Sequence, residues 1–205
     1  GNLLWELPHG SLLASRYEVL GILGRGAMGS VHKAHDRVLD EMVAIKVLRP
    51  HFARTPEIAQ RFRSEIKLAR RVRHPNVCAI HEYGEADGVR YISMEFVDGS
   101  HLRQHVALTN GLEAPEAFDI AMQILAGLQA VHDTGIIHRD LKTPNIMRDS
   151  RGIVRLMDFG IARGEGSMDL TVAGQVIGTP EYMSPEQALG YKLDFRTDIY
   201  SPAIV

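Results

Sequence analysis

Gly24-Arg25-Gly26-Ala27-Met28-Gly29-Ser30-Val31 reads G-x-G-x-x-G-x-V, and the residues on either side decide which fold can carry it. A dinucleotide-binding turn needs a helix directly after the glycines. Here Ser-Val-His-Lys-Ala follows Gly29 and reads as strand. Val19, Leu20, Ile22 and Leu23 lead into the cluster as another strand. The stretch is therefore a glycine-tipped hairpin, and the dinucleotide reading fails. Such a tip is either a plain flexible turn or a cover for a polyphosphate, because absent side chains let backbone N–H groups approach an anion.

Outward from the hairpin, β character extends over residues 17–47, with a third strand at 42–48. Thr55-Pro56 reads as an N-cap with proline at the first helical position, opening a helix to about residue 72. After His74-Pro75, strand signals return at 77–83 and 89–96, with a turn at Asp87-Gly88. Beyond Asp98-Gly99 the pattern turns helical. Pro115 opens a long amphipathic helix with Phe118, Ala121, Ile124, Leu125, Leu128 and Val131 near helical spacing. Short strands follow around 136–137, 146–147 and 153–157, with a turn at 149–152. Residues 160–178 form a long segment rich in small and polar residues, and loops of that length are usually functional. The first sixteen residues have weak pattern and read as a lead-in segment. The expectation is an α+β chain, a β-rich half preceding a helical half, with a hinge near 94–99.

Composition excludes several functions. The 205 residues are 45% hydrophobic and carry 23 basic against 25 acidic side chains, a net charge of −2. That balance gives no electrostatic reason to expect nucleic acid or an anionic membrane as partner. Cys78 is the single cysteine, which rules out an intrachain disulfide and a Cys-based zinc site within one chain. His101 and His105 are four apart and could share a helix face, but no third metal ligand is evident. A reducing compartment is the default. No run has the length of a membrane span and no signal peptide is visible. The expected location is cytoplasmic, with an anchor outside this segment left open. The chain starts at Gly1 rather than Met, so its N-terminus is expected to lie further upstream.

Val43-Ala44-Ile45-Lys46 places a lysine in an apolar strand. It either snorkels from a strand edge or has a partner. Ile58, Phe62, Ile66, Ala69 and Val72 form the apolar stripe of the helix, and Glu65 falls inside that stripe. A buried carboxylate is costly unless paired. Either Glu65 pairs with Lys46, aiming the ammonium at phosphate oxygens, or it lies at the stripe's edge in water.

His138-Arg139-Asp140-Leu141-Lys142-Thr143-Pro144-Asn145 is followed by Asp158-Phe159-Gly160 and by Gly178-Thr179-Pro180-Glu181-Tyr182-Met183-Ser184-Pro185-Glu186. In this order, after the glycine hairpin and Val-Ala-Ile-Lys, these motifs closely resemble the signature set of Hanks-type serine/threonine protein kinases, with a bacterial flavour. The resemblance runs from about residue 17 to 200. It implies a bilobal kinase-like fold with a β-rich N-lobe (17–97) and a mainly helical C-lobe (98–205). The C-lobe would be incomplete, since the chain ends at Val205, before the family's last helices.

The resemblance also implies roles. Asp140 would accept the proton of a substrate hydroxyl, Lys142 would touch the transferring phosphate, and Thr179 would hydrogen-bond near both. Asn145 and Asp158 would hold Mg²⁺. Lys46, oriented by Glu65, would hold the α- and β-phosphates of ATP under Gly24, Arg25, Gly26 and Gly29. Met94 would be the gatekeeper, with the backbones of Glu95 and Val97 reading the adenine edge and Val31, Ala44 and Met147 sandwiching the ring. Lys142 and Thr179 mark the serine/threonine type, so partners would be proteins bearing Ser or Thr, and a dimer would serve autophosphorylation. Arg139, Arg163 and Arg61 would converge on a phosphothreonine of roughly −1.5 to −2 charge, with Thr171 the first acceptor and Ser167 the second. Departures are Thr143-Pro144 before the asparagine, Ser184 in place of alanine, and Pro202-Ala203 where Leu-Gly is usual. The competing reading is a non-catalytic ATP-binding or scaffold module, or a segment inactive through truncation.

Overall fold

The computed structural model describes residues 6–26, 29–49, 56–158, 171–172, 175–176 and 182–201. The chain divides into two compact units: Gly1–Arg70 with Ala79–Val97, and Arg71–Cys78 with Asp98–Val205.

The first unit is built on one six-stranded antiparallel sheet: β1 (Leu12–Leu13), β2 (Tyr17–Gly26), β3 (Gly29–Asp36), β4 (Glu41–Leu48), β5 (Ile80–Ala86) and β6 (Val89–Glu95). Their order is β1-β2-β3-β4-β6-β5, which puts β4 in the interior of the sheet. Strand side chains alternate between faces. Val43, Ile45 and Val47 pack with Leu13, Tyr17, Ala34 and Tyr91 in one core. Ala44, Lys46 and Leu48 point to the other face and are buried too, which explains the unbroken apolar run. The lead-in segment is part of the sheet: Leu12 and Leu13 pair with Glu18 and Tyr17, and Leu7 packs against the core. Asp87 and Gly88, at φ 54° and 77°, make the two-residue turn between β5 and β6. Arg16 grips buried Asp36 with two short bonds of 2.8 and 2.6 Å.

Helix α1 (Pro56–Ala69) buries Phe62, Ile66 and Ala69, with the Phe62 ring edge-on to Tyr83 at 6.0 Å. It stops three residues before the sequence expectation. Val72 is buried, but on a segment that belongs to the second unit.

The second unit holds a three-stranded antiparallel sheet of β7 (Gly99–His101), β8 (Ile146–Asp149) and β9 (Val154–Leu156). Helices α2 (Leu102–Thr109) and α3 (Ala114–His132) supply most of the remaining order, with two short helices α4 (Pro185–Ala188) and α5 (Phe195–Tyr200). The core joins Leu102, Ile120, Ile124, Leu128, Leu141, Ile146, Val154 and Leu156. The buried face of α3 runs Ile120, Ile124, Gly127, Leu128, Val131; Phe118, Ala121 and Leu125 are exposed, against the sequence reading. Two apolar stripes compete on this helix. Gly127 selects between them, because only an absent Cβ lets α3 approach the Asn76 carbonyl, which an added Cβ would meet at 2.7 Å.

Three further expectations change. Residues 136–137 form no strand. Strand β5 begins at Ile80 rather than Val77, because Val77 makes an isolated bridge with Leu156 instead. Gly99 enters a strand before any helix starts. Within 171–176, β10 (Thr171–Val172) pairs with β11 (Gln175–Val176). Among the described residues no helix is long and apolar enough to cross a membrane.

Candidate active site

The glycine hairpin is closed by the Gly26–Gly29 pair, with Arg25 opposite Ser30 and Gly24 opposite Val31. Register shifts at Val19/Gly21 and Ile22/Gly24 bend the strand before the tip. The three glycines have different causes. A Cβ on Gly29 would meet the Val47 carbonyl oxygen, so packing on β4 demands glycine there. At Gly24 and Gly26 a Cβ would meet none of the described residues within 4 Å, so no contact among them requires glycine. Arg25 is held by Glu6 of the lead-in segment through bonds of 2.6 and 3.2 Å, and Arg49 donates to the Gly26 carbonyl at 3.1 Å.

Lys46 sits opposite Val31 and Ile92 on interior strand β4 and is 8% exposed, so it is not a lysine reaching out from a sheet edge. Glu65 is half-buried on α1, between the buried Phe62 and Ile66. Ala44, Met94 and Val97 are buried in the same unit, and Val31 is half-buried. The Glu95 N–H donates to the Ala79 carbonyl at 2.9 Å, so any adenine contact from Glu95 falls to its carbonyl.

In the second unit the loop after α3 is held by buried side chains. Asp198, on α5 and 1% exposed, accepts the N–H groups of His138 (2.6 Å) and Arg139 (2.8 Å), and its Oδ2 also meets His132 Nε2 at 2.8 Å. His138 is buried, and burial pushes its imidazole below the usual range. The neutral ring is fixed in one tautomer: Nε2–H donates to the Met157 carbonyl at 2.9 Å, and Nδ1 accepts the Asp140 N–H at 3.4 Å. Arg139 has φ 65°, a left-handed conformation costly for a side chain of its size.

Asp140 emerges next. Lys142 Nζ lies 3.2 and 3.1 Å from its two carboxylate oxygens. The Asn145 amide nitrogen donates both to the Asp140 carbonyl (2.8 Å) and to its Oδ2 (2.9 Å). With both amide hydrogens engaged, the Asn145 carboxamide oxygen is the atom left to coordinate. Asn145 sits in a 3-10 turn (Thr143–Asn145), and its carbonyl accepts the Met157 N–H at 2.9 Å, which aligns the chain leading to Asp158. Asp158 is exposed with φ 54°. A carboxamide oxygen and a carboxylate are hard donors that suit Mg²⁺ when phosphate and water complete its shell. Met147 lies half-buried on β8 opposite His101. Among the described residues no three His, Cys, Asp or Glu side chains cluster as a metal site. His101 precedes α2 as its N-cap, while His105 meets Glu116 and Arg148 at 3.0 Å each.

Thr179, Ser167 and Arg163 lie outside the described residues, as does the side chain of Arg61. Thr171 is placed only by its backbone, in β10. Several residues that hold the site escaped the motif reading. Tyr182 OH meets Thr143 Oγ1 at 3.2 Å, and the Tyr182 carbonyl accepts from Ser201 at 3.0 Å. Gln187 donates to the Arg139 carbonyl at 2.8 Å. Ser184-x-x-Gln187 is a capping-box pattern, and could have announced the start of α4 but not the contact with Arg139.

The chain belongs to the protein kinase domain family, which it matches over residues 17–205. Members of that family are transferases that generally use ATP and Mg²⁺ and act on proteins. Bacterial serine/threonine kinases are among its relatives. The chain is 39% identical over 196 residues to serine/threonine-protein kinase PrkC of Bacillus subtilis, covering 96% of this chain and 30% of that protein. It is 43% identical over 199 residues to serine/threonine-protein kinase PknB of Mycobacterium leprae, covering 95% of this chain and 32% of that protein. The chain thus spans roughly a third of the length of these relatives. Among solved structures, it matches the kinase domain of Mycobacterium tuberculosis PknI with TM-score 0.77 at 32% identity, covering 97% of this chain and 75% of that one.

Proposed function

We propose that this chain carries the catalytic apparatus of a serine/threonine protein kinase, transferring the γ-phosphate of ATP to Ser or Thr hydroxyls of proteins. The observation that carries this reading is the Asp140 carboxylate, fixed by Lys142 at 3.2 Å and Asn145 at 2.9 Å on a loop anchored to buried Asp198. In this mechanism Asp140 orients the substrate hydroxyl and accepts its proton as the oxygen attacks the γ-phosphorus. The bond from that phosphorus to the β–γ bridging oxygen breaks, and ADP leaves. Lys142, already within reach of Asp140, balances charge on the phosphoryl group in transfer. Thr179 assists in placing the hydroxyl.

Lys46, oriented by Glu65, is assigned to the α- and β-phosphates. The vacant space around Gly24 and Gly26 suits backbone approach to those phosphates. Val31, Ala44, Met147, Met94 and the backbones of Glu95 and Val97 are assigned to adenine. Asn145 and Asp158 would hold Mg²⁺, which neutralises phosphate charge when bound. Phosphoryl transfer is largely positioning and electrostatics, and these residue types would supply both.

A phosphotransfer assay with radiolabelled ATP and a generic Ser/Thr protein substrate tests the proposal on the full-length protein. Incorporation that disappears in Asp140→Asn supports it. ATP binding without any transfer by the wild-type protein would favour a scaffold instead.

A further inference from the structure

We propose that Gln187 is a positioning residue for the catalytic loop, coupling helix α4 to the backbone that aims Asp140; this rests on the kinase reading above. Arg139 is the strained residue of this loop. Its φ of 65° is unfavourable for a non-glycine residue, so something must hold it. Both of its backbone polar groups are gripped by side chains from outside the loop. Its N–H goes to Asp198 Oδ1 on α5 at 2.8 Å. Its carbonyl accepts from Gln187 Nε2 on α4 at 2.8 Å. The next residue is Asp140, so the dihedrals of Arg139 set the direction in which that carboxylate leaves the chain.

The other end of the Gln187 side chain is equally constrained. Its Oε1 accepts the Ser184 N–H at 3.1 Å, while its own N–H donates to Ser184 Oγ at 3.4 Å, a reciprocal capping box at the start of α4. Ser184 is fully buried. The carboxamide therefore has one workable orientation, oxygen toward Ser184 and nitrogen toward Arg139. A flipped amide would set two donors and two acceptors face to face. Capping alone does not need glutamine, since glutamate completes the same box equally well. Only the Arg139 contact needs a donor at this end. The replacement of the usual alanine by Ser184 thus falls into place: serine caps α4 and holds the far end of the side chain that steadies Arg139. The same segment touches the loop again at Tyr182–Thr143 (3.2 Å) and is tied to α5 through Ser201 (3.0 Å). Displacement of α4 would pass to Asp140 through Gln187.

Gln187→Glu separates the two roles, because it keeps the cap and loses the donor to Arg139. Ser184→Ala removes the cap. Steady-state kinetics of the full-length wild type and both variants would be measured alongside thermal melting and hydrogen exchange of residues 138–143. For Gln187→Glu the expected result is a kcat lower by about tenfold, the size of one lost hydrogen bond at a site where geometry is critical. The KM for ATP should stay unchanged, the protein should remain folded at the assay temperature with only a small drop in melting temperature, and amide exchange in 138–143 should quicken. Ser184→Ala should lower the melting temperature. Wild-type kcat in Gln187→Glu overturns the proposal, and so does a lower kcat explained wholly by unfolded protein. If the wild type transfers no phosphate, the kinase reading fails by itself. Exchange then decides the positioning role: faster exchange in Gln187→Glu upholds it, and unchanged exchange overturns it.

Discussion

Asp140 carries no phosphate contact in the proposed chemistry, so its removal should separate binding from turnover. Asp140→Asn is expected to lower kcat by about 10²- to 10⁴-fold, the usual worth of a general base, while the affinity for ATP stays close to wild type. Calorimetric titration beside a turnover assay reads both, and substantial turnover in the variant would remove Asp140 from its role. His138 makes a prediction about pH. Burial holds it neutral, opposed by the charges of Asp198, Asp140 and Asp158 around it. An unfolded histidine titrates near 6.5, and the native one titrates lower, so in the window between them the unfolded state binds more protons. The stabilisation is complete above about pH 6.5 and is lost as pH falls through the native value. Melting temperatures between about pH 5 and 8 should fall on the acid side, with a shallower slope in His138→Gln. Equal slopes would show that another group drives the acid limb.

Elements differ in how far their neighbours choose their residues. Helix α3 contains a glycine in its interior, where alanine would ordinarily gain about 1 kcal/mol. Here the Asn76 carbonyl at 2.7 Å and Leu156 at 3.0 Å from the added Cβ reverse the sign. Gly127→Ala should destabilise the protein by about 1–3 kcal/mol, as overpacked sites do. Urea denaturation measures it, and a neutral or stabilising result would mean that α3 can shift away from Asn76. The β2–β3 hairpin shows the opposite case. On its β2 side, where a Cβ on Gly24 or Gly26 would meet none of the described residues within 4 Å, the Glu6–Arg25 pair and the Arg49 contact with Gly26 hold the strand. Glu6→Gln should speed amide exchange in 22–32 and weaken ATP binding a few-fold, the modest effect expected of an exposed ion pair. Unchanged exchange would show that β1 alone anchors the lead-in segment. The hairpin was legible from sequence because strand-forming runs on either side of a Gly-rich tip are local signals. The buried face of α3 was not, because two apolar stripes fit one helix and only contact with Asn76 separates them.

For the whole molecule, the identity of the acceptor hydroxyl is the clearest test. Lys142 reaches Asp140, and in the proposed reading it acts with Thr179 in choosing Ser or Thr as acceptor. Phosphoamino-acid analysis of reaction products should give phosphoserine and phosphothreonine, and mainly phosphotyrosine would contradict the assignment.

The family, and the residues proposed here to carry the chemistry, were read from the chain itself. Catalytic side chains sit in short motifs of fixed order, and linear spacing carries that information without any knowledge of contacts. Residues that hold the motifs in place are scattered, and only the folded chain brings them together. Asp198 lies 60 positions from His138, and Gln187 lies 48 from Arg139. Glu6 meets Arg25 across 19, in a segment whose weak alternation hid a strand. Pairings at such separations depend on which faces pack and where loops return. Local propensity does not encode those choices; burial of the apolar cores and the satisfaction of their polar groups decide them.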